Sequence, residues 1–353
     1  MHSPAASHSS GWLFCIVLQV FLALALVGCG GQQQAVTLAG STMGTTWNAT
    51  YVPSLTSREP AHIQQTLETL LEDINDSMST WRPDSEISRF NRAPVGEWFE
   101  VSADFARVLA VALAIGDASG GAYDVTVGPL VSLWGFGPGR PGITVPGDDA
   151  ILDVLQRVGQ DYLEFDAANA RLRRTQPVEL DFSSVAKGYA VDVLTQALQS
   201  EQIADYLVEV GGEMRVAGNS PRGDAWRVAI EQPDAGERTI ALAVALTDKA
   251  IATSGDYRNF YEVDGQRFSH SIDPRTGYPV AHDLVSVTVI TDDCASADAW
   301  ATALTVMGAD AALALAEQRQ LAVYLMRRSG DGIVATHSSA FQPWLAAAPD
   351  SVQ

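Results

Sequence analysis

Two apolar periods run through this chain, and they alternate without a regular rhythm. Ile63, Leu67, Leu70, Leu71, Ile74 and Met78 recur at helical spacing, which predicts an amphipathic helix over 60–78. Phe105, Val108, Leu109, Ala112 and Ile115 predict a second helix over 103–117, ended by Gly120-Gly121. Ile240, Leu242, Val244 and Leu246 alternate as in a half-buried strand, and Tyr206–Val210, Trp226–Glu231 and "VSVTVIT" at 285–291 are also β-rich. "DYRNFYEV-DG-QRFSHSI" reads as a hairpin with Asp264-Gly265 at its tip. Helices over 296–307 and 309–318 and a strand "LAVYLMRR" close the series. A doubly wound sheet would need strand and helix to alternate strictly. The irregular order predicts an α+β fold instead.

The N-terminus stands apart from this pattern. "GWLFCIVLQVFLALALVG" (11–28) has no charged residue and runs into Cys29, and Leu26-Val27-Gly28-Cys29 resembles a bacterial lipobox. We expect a lipoprotein signal peptide over 1–28, a lipidated Cys29 with a short tether to 35, one folded unit over 36–345 and a tail over 346–353. Met1 to Ser10 lacks the usual Lys or Arg, and the alternative for the apolar run is an uncleaved membrane helix. Either arrangement places the protein in the cell envelope, and lipidation would anchor it to a membrane facing the periplasm, most simply the inner one. The formal charge of −20 argues against nucleic acid as a partner, since a phosphate backbone needs clustered Lys and Arg. Of the three cysteines, Cys15 lies in the signal, Cys29 at the lipidation point, and Cys294 is left without an intramolecular partner.

Neither a P-loop nor a dinucleotide fingerprint is present: the Gly-rich loop "GFGPGRPG" (135–142) holds two prolines and opens no helix. In "CASADAWATALTVMG" (294–308), Ser296 is a plausible N-cap and Gly308 a plausible C′ residue. Asp298 and Thr302 are then four apart on one face. Two hard oxygens there suit Mg²⁺ with bound phosphates, although a carboxylate near a helix start can also simply complement the dipole. "ELDFSSVAKGYAVDVL" (179–194) repeats the construction, with Asp181 before a helix that Ser183 would cap and Lys187 in its first turn. Lys187 could be solvated or could compensate for an anion. Met43, Trp81, Tyr123 and Asp124 sit in Gly-rich or turn-rich stretches, where backbone can approach a flat ligand. In "FSHSIDPRTGYPV" (268–280), Asp273, Pro274 and Gly277 are turn residues, and His270 precedes them. His270 either orders the loop or works as an acid–base group. His62, His282 and His337 read as surface residues.

Taken in chain order, "GSTMGTTW", "MSTWRPDSEISRFN", "AYDVTVGPLVSLWGFG", "DFSSVAKGYAVD", "LVEVGGEMRVAG", "WRVAIEQP", "AIATSGDYRNFY", "HSIDPRTGYP" and "ASADAWATAL" resemble the FAD:protein FMN transferase (ApbE) family over about residues 36–328. The resemblance implies a T-fold-like mixed α/β catalytic domain. It implies Mg²⁺-dependent transfer of FMN from FAD onto a Thr or Ser hydroxyl of a partner protein, with release of AMP. The family's FAD contacts fall on Met43, Trp81, Ala122, Tyr123, Asp124, Asp181, Lys187 and Ile272, and its metal ligands on Asp298 and Thr302 with backbone oxygens at Ser184 and Ala301. Lys187 would pair with a phosphate or with Asp181. His270 is the candidate base for the acceptor hydroxyl, and Asp298 acts through the metal. The implied acceptors are exported domains of membrane redox complexes, of the Rnf type or from sodium-pumping quinone reductases. Two other functions use the same site: an FAD pyrophosphatase with water as acceptor, and a non-enzymatic FAD-binding lipoprotein.

Overall fold

Eight strands form one antiparallel sheet in the order in which they occur along the chain: β1 (Val36–Thr42), β2 (Thr45–Tyr51), β3 (Tyr206–Val210), β4 (Glu213–Ala217), β5 (Lys249–Gly255), β6 (Leu284–Thr291), β7 (Ala322–Ser329) and β8 (Gly332–His337). The computed structural model describes residues 34–138, 145–233, 239–255, 260–330 and 332–346. The expected signal peptide, Cys29, most of the tether and the tail from 347 lie outside the described residues. Among the described residues no helix is long and apolar enough to cross a membrane.

Helices cover one face of the sheet. They are α1 (Pro60–Met78), α2 (Ala103–Ala118), α3 (Ala186–Ser200), α4 (Cys294–Met307) and α5 (Ala309–Arg319). α3 lies on β3 and β4, α4 on β5 and β6, and α1 and α2 pack outside them. The opposite face is covered by the hairpin Trp226–Glu231/Ile240–Leu246 and the segment 339–346, whose Phe341 is fully buried. β6 is thus sandwiched, and seven of its eight residues are buried. A strand covered on both sides needs apolar residues on both, so its sequence is a near-continuous apolar run rather than an alternation. The α+β expectation holds.

Most local readings hold as well. α1 buries Ile63, Leu67, Leu71, Ile74 and Met78 and starts with proline in its first turn, where no amide is lost. α2 runs one residue beyond the predicted end, before Gly120 and Gly121 at φ +63° and +78°. Asp264 and Gly265 both take positive φ, as a two-residue type I′ hairpin turn requires, between Phe260–Val263 and Gln266–Ser269. Residues 256–259 and 139–142, which the hairpin and loop readings included, lie outside the described residues.

Two caps differ. α4 begins at Cys294 because Asp293, not Ser296, is the N-cap, and its side chain accepts from the Ser296 amide at 2.8 Å. Ser183 does not cap α3, which starts at Ala186 after an uncapped Val185. The Ser183 amide instead donates to Asp181 Oδ1 at 2.8 Å, closing an Asx turn ahead of the helix. In both places a carboxylate two or three residues upstream accepts the serine's own amide, and the helix start does not fall at the serine.

A third apolar cluster joins Leu130, Trp134, Ile151 and Val154 to Phe268 and Ile272. The turn after His270 seats against it: Gly277 takes φ +81°, its carbonyl accepts from Trp134 Nε1 at 2.8 Å, and a Cβ there would lie 2.7 Å from Ile151 Cγ2. Gly277 therefore fastens the turn after His270 to this cluster.

Candidate active site

One cleft of about 1400 Å³ gathers the chemistry-bearing segments. Met43 comes from the β1–β2 turn, Trp81 from the loop after α1, Ala122 to Asp124 from the loop after α2, Asp181 to Lys187 from the entry to α3, His270 and Ile272 from the hairpin end, and Asp298 and Thr302 from α4. Every residue singled out from the sequence lines this cleft, apart from Ala301 and the undescribed Cys29. Ala301 is buried in α4, and its carbonyl accepts from Thr305 Oγ1 at 2.8 Å.

The floor is built by backbone pairing between distant segments. The Asp181 amide donates to the Val125 carbonyl at 2.7 Å, and Val127 bridges Glu179 in parallel. This brings Tyr123 beside Ser184, whose hydroxyl donates to the Tyr123 hydroxyl at 3.0 Å. Burial first, then the carboxylates of Asp298, Asp181 and Asp124, raise the Tyr123 pKa, so it stays a neutral phenol. Asp124 is committed to backbone and hydroxyl donors: Oδ1 accepts from the Thr126 amide and hydroxyl at 2.8 and 2.6 Å, and Oδ2 from the amide of the distant Gln160 at 2.9 Å. Burial raises its pKa, and those hydrogen bonds oppose the rise. Met43 holds φ +50°, the first of two positive-φ positions in the β1–β2 turn. Trp81 is 65% exposed at the rim, an unstacked indole available to a flat ligand.

At the inner end, Lys187 is neither solvated nor paired with Asp181. Its Nζ lies 3.0 Å from Glu213 Oε1 and 3.8 Å from Asp298 Oδ2. Burial acts to lower the Lys187 pKa, but Asp298 and Glu213 outweigh it and the net shift is upward, so the ammonium is secure. Glu213 was not singled out by the sequence reading. It is 5% exposed, and its Oε2 has no hydrogen-bond partner among the described residues. Burial first, and Asp298 after it, push its pKa up to about 7 against the pull of Lys187. The one sequence signal for it was an acidic residue at an inward position of a β-rich segment, just after the Gly211-Gly212 turn.

Asp298 Oδ2 accepts from the Gly188 amide at 3.0 Å. Gly188 is required by close approach: a Cβ there would lie 2.3 Å from the Cys294 carbonyl oxygen and 2.8 Å from Asp298 Cβ. Asp298 and Thr302 present hard oxygens to the cleft beside an orphaned buried carboxylate oxygen, a donor set that fits a small divalent cation sharing its remaining positions with water and phosphate. Among the described residues no group of three or more His, Cys, Asp or Glu side chains is placed to hold a metal ion together. His270 is half-buried, its ring edge-on to Phe136 at 6.3 Å between centroids. The other histidines split: His62 is exposed, while His282 is half-buried with its ring against Gly308, and His337 is half-buried with Nδ1 3.1 Å from the Ser338 carbonyl. The reading of the last two as surface residues is corrected by this packing.

A model of the ApbE family matches residues 43–325. The chain belongs to the ApbE family. It is 42% identical to the FAD:protein FMN transferase of Haemophilus influenzae, over 92% of this chain and 96% of that protein. Identity to the same-named protein of Vibrio cholerae is 43%, over 91% and 96%. Among solved structures, the flavin transferase ApbE from Vibrio cholerae superposes with a TM-score of 0.83 at 42% identity, covering 88% of this chain and 99% of the other. The apo form of the Pseudomonas stutzeri flavinyl transferase ApbE gives 0.83 at 37% identity, over 89% and 98%. The mixed α/β architecture is therefore that of the ApbE flavin transferases.

Proposed function

We propose that this protein is an FAD:protein FMN transferase that moves FMN from FAD onto a Thr or Ser hydroxyl of a partner protein and releases AMP. The observation that carries this reading is the meeting, in one cleft, of Asp298, Thr302, His270 and the candidate flavin contacts, drawn from segments far apart in the chain. The cleft also exceeds the ~300–1,000 Å³ usual for a small-molecule pocket, which leaves room for an acceptor segment beside the dinucleotide.

Met43, Trp81, Tyr123 and Ile272 offer apolar and aromatic surface to the flavin nucleotide. Lys187 supplies a fixed positive charge near the pyrophosphate. Asp298 and Thr302, with backbone oxygen from Ser184, would hold Mg²⁺; the Ala301 carbonyl, buried and bonded to Thr305, is not placed to join them. When bound, the ion supplies charge neutralisation on the phosphates and on the AMP leaving group. The acceptor hydroxyl oxygen attacks the FMN phosphorus as the phosphoanhydride bond to AMP breaks, and the hydroxyl proton passes to His270. Wedging of the 273–277 turn onto Trp134 fixes that imidazole's strand end.

We further propose that Cys29 is lipidated and that the enzyme faces the periplasm, where exported domains of Rnf-type or sodium-pumping quinone reductase complexes are its acceptors. The test is incubation with FAD, Mg²⁺ and a candidate acceptor domain, followed by mass spectrometry of the acceptor and chromatography of free flavins. A mass gain of one FMN with AMP released is expected. Free FMN and AMP without acceptor labelling would assign a pyrophosphatase instead, and intact FAD would overturn both.

A further inference from the structure

α3 and α4 grip each other by exchanging carboxylates for helix-start amides. The first four amides of a helix have no partner within it. The Gly188 amide, third in α3, donates to Asp298 on α4. In return the first two amides of α4 donate to Asp192 on α3: Cys294 at 3.0 and 2.9 Å to the two oxygens, and Ala295 at 2.9 Å. Gly188 lies beside Asp298 and Asp192 beside Cys294, so the two helices run antiparallel. Asp192 is 5% exposed and also accepts from Arg215 Nη1 at 2.6 Å. Arg215 projects from β4 on the same face as Glu213, the partner of Lys187. Two ion pairs thus index α3 on β4, and Asp192 passes that position on to α4.

We propose that Asp192 is a positioning residue for the metal-binding pair. It sets the axial position and rotation of α4 so that Asp298 and Thr302 face the cleft. Capping alone does not account for it, because Asp293 already serves as the N-cap of α4. Cys294, Asp298 and Thr302 are spaced by four and share one helix face. The gripped end therefore lies one turn from the first proposed ligand and two turns from the second. A carboxylate on helix-start amides is stabilised by the dipole and by charge-assisted hydrogen bonds, which resist rotation about the helix axis.

The inference rests on the proposed metal role of Asp298 and Thr302, and the experiment separates the two. Asp192→Ala, Asp192→Asn and Asp298→Asn are compared with the wild-type full chain. The readouts are thermal unfolding, FAD binding without metal, Mn²⁺ binding with FAD present (by electron paramagnetic resonance), and the Mg²⁺ dependence of transfer. For Asp192→Ala we expect FAD affinity to be kept, Mn²⁺ affinity to fall about 10–100-fold, as for other groups that orient ligands, and KM for Mg²⁺ to rise. Asp192→Asn keeps one acceptor oxygen and should recover part of the loss. Should the alanine variant fail to fold, the asparagine variant carries the test. Unchanged Mn²⁺ affinity in a folded Asp192 variant, with Asp298→Asn impaired, overturns the positioning role alone. Parallel loss of FAD binding, Mn²⁺ binding and stability would also overturn it, as a purely structural effect. Wild-type Mn²⁺ affinity in Asp298→Asn overturns the metal assignment and the inference with it.

Discussion

Gly188→Ala adds one methyl group at the tightest point between α3 and α4. The new Cβ would stand 2.3 Å from the Cys294 carbonyl oxygen, 2.7 Å from its carbon and 2.8 Å from Asp298 Cβ. Two of these atoms are backbone, so no side-chain rotation relieves the contact. An ordinary contact needs a separation near 3.5 Å, so the helices must part by about 1 Å. Overpacking of this kind costs roughly 1–3 kcal/mol. Alanine's better helix propensity returns about 1 kcal/mol. Lengthening the Gly188–Asp298 hydrogen bond loses up to about 1.5–3 kcal/mol, the worth of a bond to a charged group. The net change is a destabilisation of about 0–2 kcal/mol if that bond survives and of about 1.5–5 kcal/mol if it is lost. The functional loss should be larger than stability alone explains, since a misplacement of about 1 Å can cost on the order of 10²-fold in rate. Transfer rate measured against Mg²⁺ concentration, with calorimetric melting on the same samples, is the assay. We expect a variant that is folded at 25 °C and still binds FAD, but with a rate reduced about 100-fold and a raised Mg²⁺ requirement. Wild-type rate and metal dependence at wild-type stability would refute the close-packing argument.

Other substitutions probe separate parts of the cleft. Asp298→Asn should abolish Mg²⁺-dependent turnover, measured by flavin release, and lower the melting temperature by calorimetry, since the Gly188 amide and Lys187 lose a charged partner. His270→Ala should bind FAD normally, by flavin fluorescence, and slow acceptor labelling by about 10²–10⁴-fold; equal labelling would remove the base from the mechanism. Trp81→Ala, at an exposed rim position, should raise KM for FAD without shifting the melting temperature. Glu213 has a folded pKa of about 7 against an ordinary 4.5, so the folded metal-free state binds its proton more tightly than the unfolded chain does. Its stabilising contribution is complete below about 4.5 and is lost as pH rises to about 7. Glu213→Gln should flatten the fall in melting temperature between pH 5 and 8, and an unaltered slope would contradict the assigned shift.

Periodicity alone determined much of this protein. The apolar stripes of α1 and α2, the dense apolar run of β6 and the Asp264-Gly265 turn are set by neighbours within a few residues, where side-chain spacing and allowed φ decide the conformation. The candidate cleft was legible only through the resemblance of nine segments, taken in chain order, to the ApbE family; each stretch alone, including those of Met43, Trp81, Tyr123, Asp181, His270 and Asp298, left a purely structural reading open. Which of these groups meet was decided only by the tertiary structure. Lys187 was open between a solvated lysine, a phosphate partner and Asp181; packing brought Glu213 from β4 and Asp298 from α4 to it and left Asp181 apart. Gly188 looked like any helix glycine until the Cys294 carbonyl stood where its side chain would be. Asp192 carried no signal at all, since its three donors lie some twenty to one hundred residues away in sequence and converge only when α3, α4 and β4 pack. Local order follows from interactions at short separation, which a pattern along the chain records. The charge pairs of the site arise at long separation, where burial and geometry select the partner.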